Sequence, residues 1–158
     1  MAATAAHPGA VHPATPATGI SGALHRARTE PAYGAFLVLW IGFIALPLLM
    51  GLDKYFNLMT DWEGYLAPWI VNLLPFSAHT AMVVVGTIEV VAAILVFLRP
   101  RYASYVVALW LAGIIVNLLT YSGYYDVALR DFGLLVAAVA LTRLASVYDH
   151  GLRPKDKA

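Results

Sequence analysis

Four side chains that could do chemistry, Glu89, Asn117, Arg130 and Asp131, stand inside otherwise apolar runs of this chain, and a fifth, Lys54, closes another. A charge at the centre of a membrane-crossing helix costs about 2.5–3.5 kcal/mol on insertion scales, so such residues are kept for pairing, for binding or for moving a proton. If the second apolar run becomes helical near Thr80, Glu89 lies at a depth of ~14 Å at 1.5 Å per residue, close to a bilayer midplane. Asn117 and Arg130 are shallower, roughly 6 Å below the nearer boundary. Helical side chains lean towards the N-terminus of their helix, which turns Lys54 back into a bundle and turns Glu89 and Arg130 towards the outer side. Lys54 and Arg130 are therefore the candidate cations for Glu89 and Asp131. The five residues form either a functional polar site or a buried cluster that only fixes helix register. Gly86 and Ala93 beside Glu89, and Gly113 one turn from Asn117, permit close packing in both cases.

Trp110, Tyr121, Tyr124 and Tyr125 are the residue types that wall a quinone headgroup pocket. They are also the types of an interfacial aromatic belt, and the turn position of Tyr121 to Tyr125 favours the belt. The chain has no cysteine, which removes disulfides, thiolate metal ligation, a cysteine nucleophile and thioether-linked haem. His7, His12 and His25 lack metal-ligand spacing, so no metal is expected. No phosphate-binding glycine loop or Ser-His-Asp set is visible. No cofactor is evident, and a quinone is the one that these aromatics could hold.

The elements that must position these residues are apolar on every face. Of 158 residues, 61% are hydrophobic and 12% charged, far from the balance of a soluble domain. Tyr33 to Leu52, Ala81 to Leu98, Ala103 to Tyr121 and Val127 to Val147 each approach the ~20 residues that cross a bilayer as a helix. A closed barrel would need at least about eight strands of alternating pattern, and the chain has neither. The reading is an all-α membrane protein, a four-transmembrane-helix up-down bundle over residues 31–148. Between the first two spans, Asp53 to Thr80 is broken by Pro68 and Pro75 and carries Trp62, Tyr65 and Trp69, an interfacial segment. Residues 1–30, rich in Ala, Pro, Thr and Gly, read as a disordered tail rather than a secretory signal, and residues 149–158 as a second tail.

Basic residues set the orientation. Arg26, Arg28, Arg99, Arg101, Arg143, Arg153, Lys155 and Lys157 all fall on one side, which the positive-inside rule makes cytoplasmic, together with both termini. This loop-confined charge is no nucleic-acid footprint; the expected partner is the lipid bilayer.

Three motifs give the chain a resemblance to the DoxX-like family of small four-helix bacterial membrane proteins. They are Gly51-Leu52-Asp53-Lys54, Gly86-Thr87-Ile88-Glu89 and Ala128-Leu129-Arg130-Asp131-Phe132-Gly133, with Arg99-Pro100-Arg101 as a short basic link. The resemblance covers roughly Tyr33 to Ala145 and implies a multi-pass protein of the bacterial inner membrane, a subunit or accessory of respiratory or redox metabolism. Quinone or a respiratory complex would then be the partner met by the polar site. The alternatives are a small-solute or proton pathway titrated at Glu89, and a structural anchor without ligand. Reporter fusions after Ala158 and near Asp61 should report opposite sides of the membrane; the same side for both would refute the four-span topology.

Overall fold

The computed structural model describes residues 19–149, and no strand occurs among them. The helices are α1 (Ile20–Thr29), α2 (Pro31–Asp53), α3 (Pro68–Leu73), α4 (Ala78–Leu98), α5 (Pro100–Leu119) and α6 (Tyr125–Tyr148), with a 3₁₀ turn at Trp62–Tyr65. The chain is thus an all-helical membrane protein. Three helices, α2, α4 and α5, are long and apolar enough to cross a bilayer, with mean hydropathies of 2.4, 2.6 and 1.9. The helix α1 corrects the reading of residues 1–30 as unstructured throughout, because Ile20, Ala23, Leu24 and Ala27 form an apolar stripe that the flanking Ala, Pro and Thr run conceals. His7, His12, Arg153, Lys155 and Lys157 lie outside the described residues.

Local chemistry accounts for the helix limits. Pro31 and Pro100 occupy first-turn positions, where a missing N–H costs nothing. Ser77 caps α4, its hydroxyl accepting from the Thr80 N–H at 3.2 Å. Gly123, at φ 108°, supplies the left-handed residue that turns the chain between α5 and α6. α2 continues through Pro47.

The helices pack chiefly as α5 on α6 and α2 on α4, and the set is completed by α2 against α6 and α4 against α5. The buried apolar core gathers at one end, where Phe36, Val96, Ala138, Leu141 and Ala145 are fully enclosed and Tyr33 meets Tyr148 edge-on at 5.4 Å. Phe36, Trp40 and Phe97 stack in series at 6.0 Å spacings, and the Trp40 indole donates to the Val96 carbonyl at 2.9 Å. Around this core the outer surface stays apolar: Val38, Ile41, Val91, Leu109 and Val116 are all exposed. An uncovered belt of this kind on three spanning helices is the surface that lipid solvates.

At the opposite end, α2 and α4 touch backbone to backbone. A Cβ built on Gly86 would stand 2.5 Å from the Gly51 carbonyl oxygen, and one on Gly51 would stand 2.7 Å from that of Gly86. Neither position holds a side chain without separating the helices. Gly86→Ala should therefore cost about 1–3 kcal/mol by overpacking. Gly113→Ala, where a Cβ meets nothing within 4 Å inside α5, should be neutral or stabilising by up to about 1 kcal/mol. Melting temperatures of both variants in mild detergent check this; equal values would mean the close approach carries no stability.

Candidate functional site

The contact between Gly51 and Gly86 sets up the most demanding residue of the chain. Lys54, the cap residue of α2, is only 4% exposed, and its Nζ donates to Glu89 Oε2 on α4 at 2.7 Å. Desolvating an ammonium is expensive, and a short charge-assisted bond offsets it only when the remaining surroundings are also favourable. Here the Trp62 ring supplies them, with its centroid 3.8 Å from Nζ, so the ammonium rests between a carboxylate and the negative face of an indole.

Trp62 is held there by the residue that precedes Lys54. The Asp53 carboxylate, also buried, accepts from the Trp62 indole N–H at 2.8 Å and from the backbone N–H groups of Leu58 and Met59 at 3.1 Å each. Asn57, at φ 51°, provides the left-handed step that lets the chain curl back over Asp53. Consecutive side chains on a helix diverge by about 100°, so Asp53 and Lys54 serve different partners: one anchors the loop, the other spans to α4.

A second set of contacts ties the segment after Trp62 to α5. The Asn117 amide uses both ends, its Oδ1 accepting from the Ala67 N–H at 3.0 Å and its Nδ2 donating to the Tyr65 carbonyl at 2.8 Å. Trp69 Nε1 donates to the Thr120 hydroxyl at 2.9 Å, and the Tyr121 hydroxyl to the Gly64 carbonyl at 3.1 Å. Aromatic rings run continuously over this end, Trp62 to Tyr65 at 5.7 Å, Tyr65 to Tyr124 at 4.8 Å and Tyr124 to Tyr121 at 5.2 Å. Burial pushes the Tyr121 phenol up to about 12, with Tyr124 and Tyr65 adding to the effect, so it remains a hydrogen-bond donor at neutral pH.

The five polar residues singled out from sequence are therefore divided rather than gathered. Lys54 and Glu89 are paired, and Asp131, half-buried on α6, lies within electrostatic range of both without a direct hydrogen bond. Asn117 serves the backbone of the covering segment instead, because an amide can satisfy a donor and an acceptor at once. Arg130 is not a partner of Glu89: it lies 75% exposed and pairs with Asp126 one turn earlier at 3.0 Å. The four aromatics do not converge either. Tyr121 and Tyr124 join Tyr65, whereas Tyr125 is exposed and lines a shallow apolar groove with Ile115, Leu119, Ala128, Leu129 and Phe132. Trp110 lies about 10 Å along α5 from Asn117, and among the described residues its buried indole N–H meets no acceptor.

Asp53, Trp62 and Tyr65 are the participants that the sequence reading placed outside the cluster. The available signal was the Asp53-Lys54 pair itself, two adjacent charges closing a span, which demand partners on two different sides.

No family model matches the chain, and neither does any curated protein or solved structure.

Asn117→Leu removes two of the hydrogen bonds that hold the covering segment and leaves the buried Ala67 N–H unpaired, a loss of about 1–3 kcal/mol. Hydrogen exchange of the Ala67 amide should quicken well before the bundle melts; unchanged protection would show that the aromatic contacts alone hold the segment.

Proposed function

We propose that the chain is a DoxX-like integral membrane subunit or accessory protein of respiratory or redox metabolism. On this reading it is an up-down bundle of four spans, α2, α4, α5 and α6, in a bacterial inner membrane with both termini cytoplasmic. The Lys54–Glu89 end then faces outward, where the site meets a quinone or a partner complex.

One observation carries this reading. The motif at Gly51 to Lys54 and the motif at Gly86 to Glu89 are a single contact in space: their glycines touch, their charges pair, and Asp131 of the third motif lies nearby. Residues that carry the resemblance are thus the residues that bury charge in an apolar molecule, where charge is retained for function or specificity. The up-down arrangement is supported by the contacts of α2, whose Tyr33 and Trp40 meet Tyr148 and Val96 while its Gly51 and Lys54 meet Gly86 and Glu89. Single-residue Arg99 between α4 and α5 and the short turn from Thr120 to Tyr124 support it as well. The ammonium is the group that would donate to a quinone carbonyl, and the Tyr65, Tyr124 and Tyr121 rings are the surface that a flat headgroup or a partner would stack upon.

The enclosure of Lys54 favours a second reading, a structural clamp without ligand. An ion pair that only holds register can be replaced by apolar residues of similar volume without loss of stability, whereas removal of one partner strands the other and costs about 3–5 kcal/mol. The double variant Lys54→Met, Glu89→Leu is therefore the informative protein, measured for melting temperature in detergent beside binding of a ubiquinone analogue and complementation of a deletion strain. A stable fold with binding and complementation lost supports the redox site; a stable fold with both retained establishes the clamp.

A further inference from the structure

Helix α1 carries an apolar stripe that the bundle covers only in part. Ile20, Ala23, Leu24 and Ala27 share one face at helical spacing, while Ser21, His25, Arg28 and Thr29 occupy the other. Ala27 packs on the core, and its carbonyl oxygen comes so close to α2 that a Cβ on Gly34 would stand 2.8 Å from it. Ile20 and Leu24, further from α2, are 82% and 54% exposed.

The direction of this helix is built in. Glu30 is extended, at φ −122° and ψ 95°, because the residue before a proline is driven out of the helical region, so α1 and α2 are not one rod. The Glu30 carboxylate accepts from the Tyr148 hydroxyl at 2.6 Å and from Arg26 Nε at 2.8 Å, and the Arg26 guanidinium lies 4.4 Å over the Tyr33 ring. The Tyr148 hydrogen bond, and then Arg26, hold the Glu30 carboxyl below its usual range. Stability from this corner is present at neutral pH and is lost only as pH falls through that lowered value.

Arg99 and Arg101 flank Pro100 at this same end, and Arg143 stands near the close of α6. Among the described residues no ion pair reaches Arg28, Arg99, Arg101 or Arg143. The neighbouring surface is apolar, with Phe97, Leu98, Tyr102 and Tyr105 exposed beside those arginines.

We propose that α1 is an in-plane membrane anchor, lying in the boundary of the bilayer that the bundle crosses, with Ile20 and Leu24 among the acyl chains and the free arginines on anionic phosphate headgroups. The occupant is lipid because Ile20 and Leu24 are exposed on a molecule whose long helices are solvated by lipid, and because arginines at this end have, among the described residues, no acidic partner. This rests on the reading of the chain as membrane-spanning and on no assignment of activity. The anchor would fix the rotation of α2, and through it the position of Lys54, relative to the membrane surface.

The absence of cysteine allows single nitroxide labels on the full chain at Leu24→Cys, His25→Cys and Leu109→Cys in lipid nanodiscs. In phosphatidylglycerol, the label at position 24 should relax several-fold more with oxygen than with a water-soluble nickel chelate, and the label at 25 the reverse. The contrast should shrink in phosphatidylcholine or at high salt, where anionic attraction is absent or screened. A position-24 label open to nickel, or closed to both reagents and hence covered by protein, would overturn the anchor while position 109 stays oxygen-rich. Equal contrast in the two lipids would overturn the anionic preference. Nickel access at position 109 would instead refute the spanning reading, and the anchor with it.

Discussion

An ammonium buried in an apolar molecule must find compensation within reach of its own side chain, and the arrangement of one whole end of this protein follows from where Lys54 finds it. Its stem is held between helices that approach as closely as backbone permits, which is why glycine stands at both 51 and 86. With the helices so near, Glu89 meets the ammonium at 2.7 Å and forms a charge-assisted bond rather than a distant attraction. The remaining side of Lys54 is closed by an indole, and the indole is fixed by the carboxylate of the adjacent residue. Covering the charge thus determines the path of the chain from Asp53 to Trp62.

The two ends of the bundle use different physics. Around Phe36, Val96 and Leu141 the packing is apolar and aromatic, and at its rim Arg26, Glu30 and Tyr148 close a small, partly exposed network over the ends of α2 and α6. Around Lys54 the packing is polar and directional. A non-directional core tolerates small rearrangements, whereas a buried ion pair loses much of its benefit when its geometry is disturbed. The Lys54 end is accordingly the one braced by additional bonds, through Asn117, Thr120 and Tyr121 to the segment that crosses it.

Asn117 and Arg130 show why a polar residue in an apolar run does not announce its partner. Both stand in apolar runs, where a polar group is costly unless it is partnered. Asn117 turns inward and holds backbone groups of a segment some fifty positions away in sequence, a spacing that no local pattern encodes. Arg130 lies on the face of α6 that also carries Asp126 one turn before it, and this local pair takes its charge.

By itself the sequence determined the class of the protein, the extent of its long helices and the residues that would be hardest to bury. Those properties depend on composition and on local periodicity: the spans at Tyr33 to Leu52 and Ala81 to Leu98 reappear within three residues as α2 and α4, because apolar length, prolines and caps act on near neighbours. Side-chain direction narrowed the cation for Glu89 to Lys54 or Arg130, because it follows from helix direction, and the structure chose Lys54. The tertiary structure alone decided that Asp131 stands beside the pair without bonding to it, that the Trp62 ring covers Lys54, and that residues Ile20 to Thr29 are helical against α2. Each of those outcomes depends on which face of one element meets another, and on a loop path set by Asp53 and Asn57, quantities that arise only when distant segments pack together.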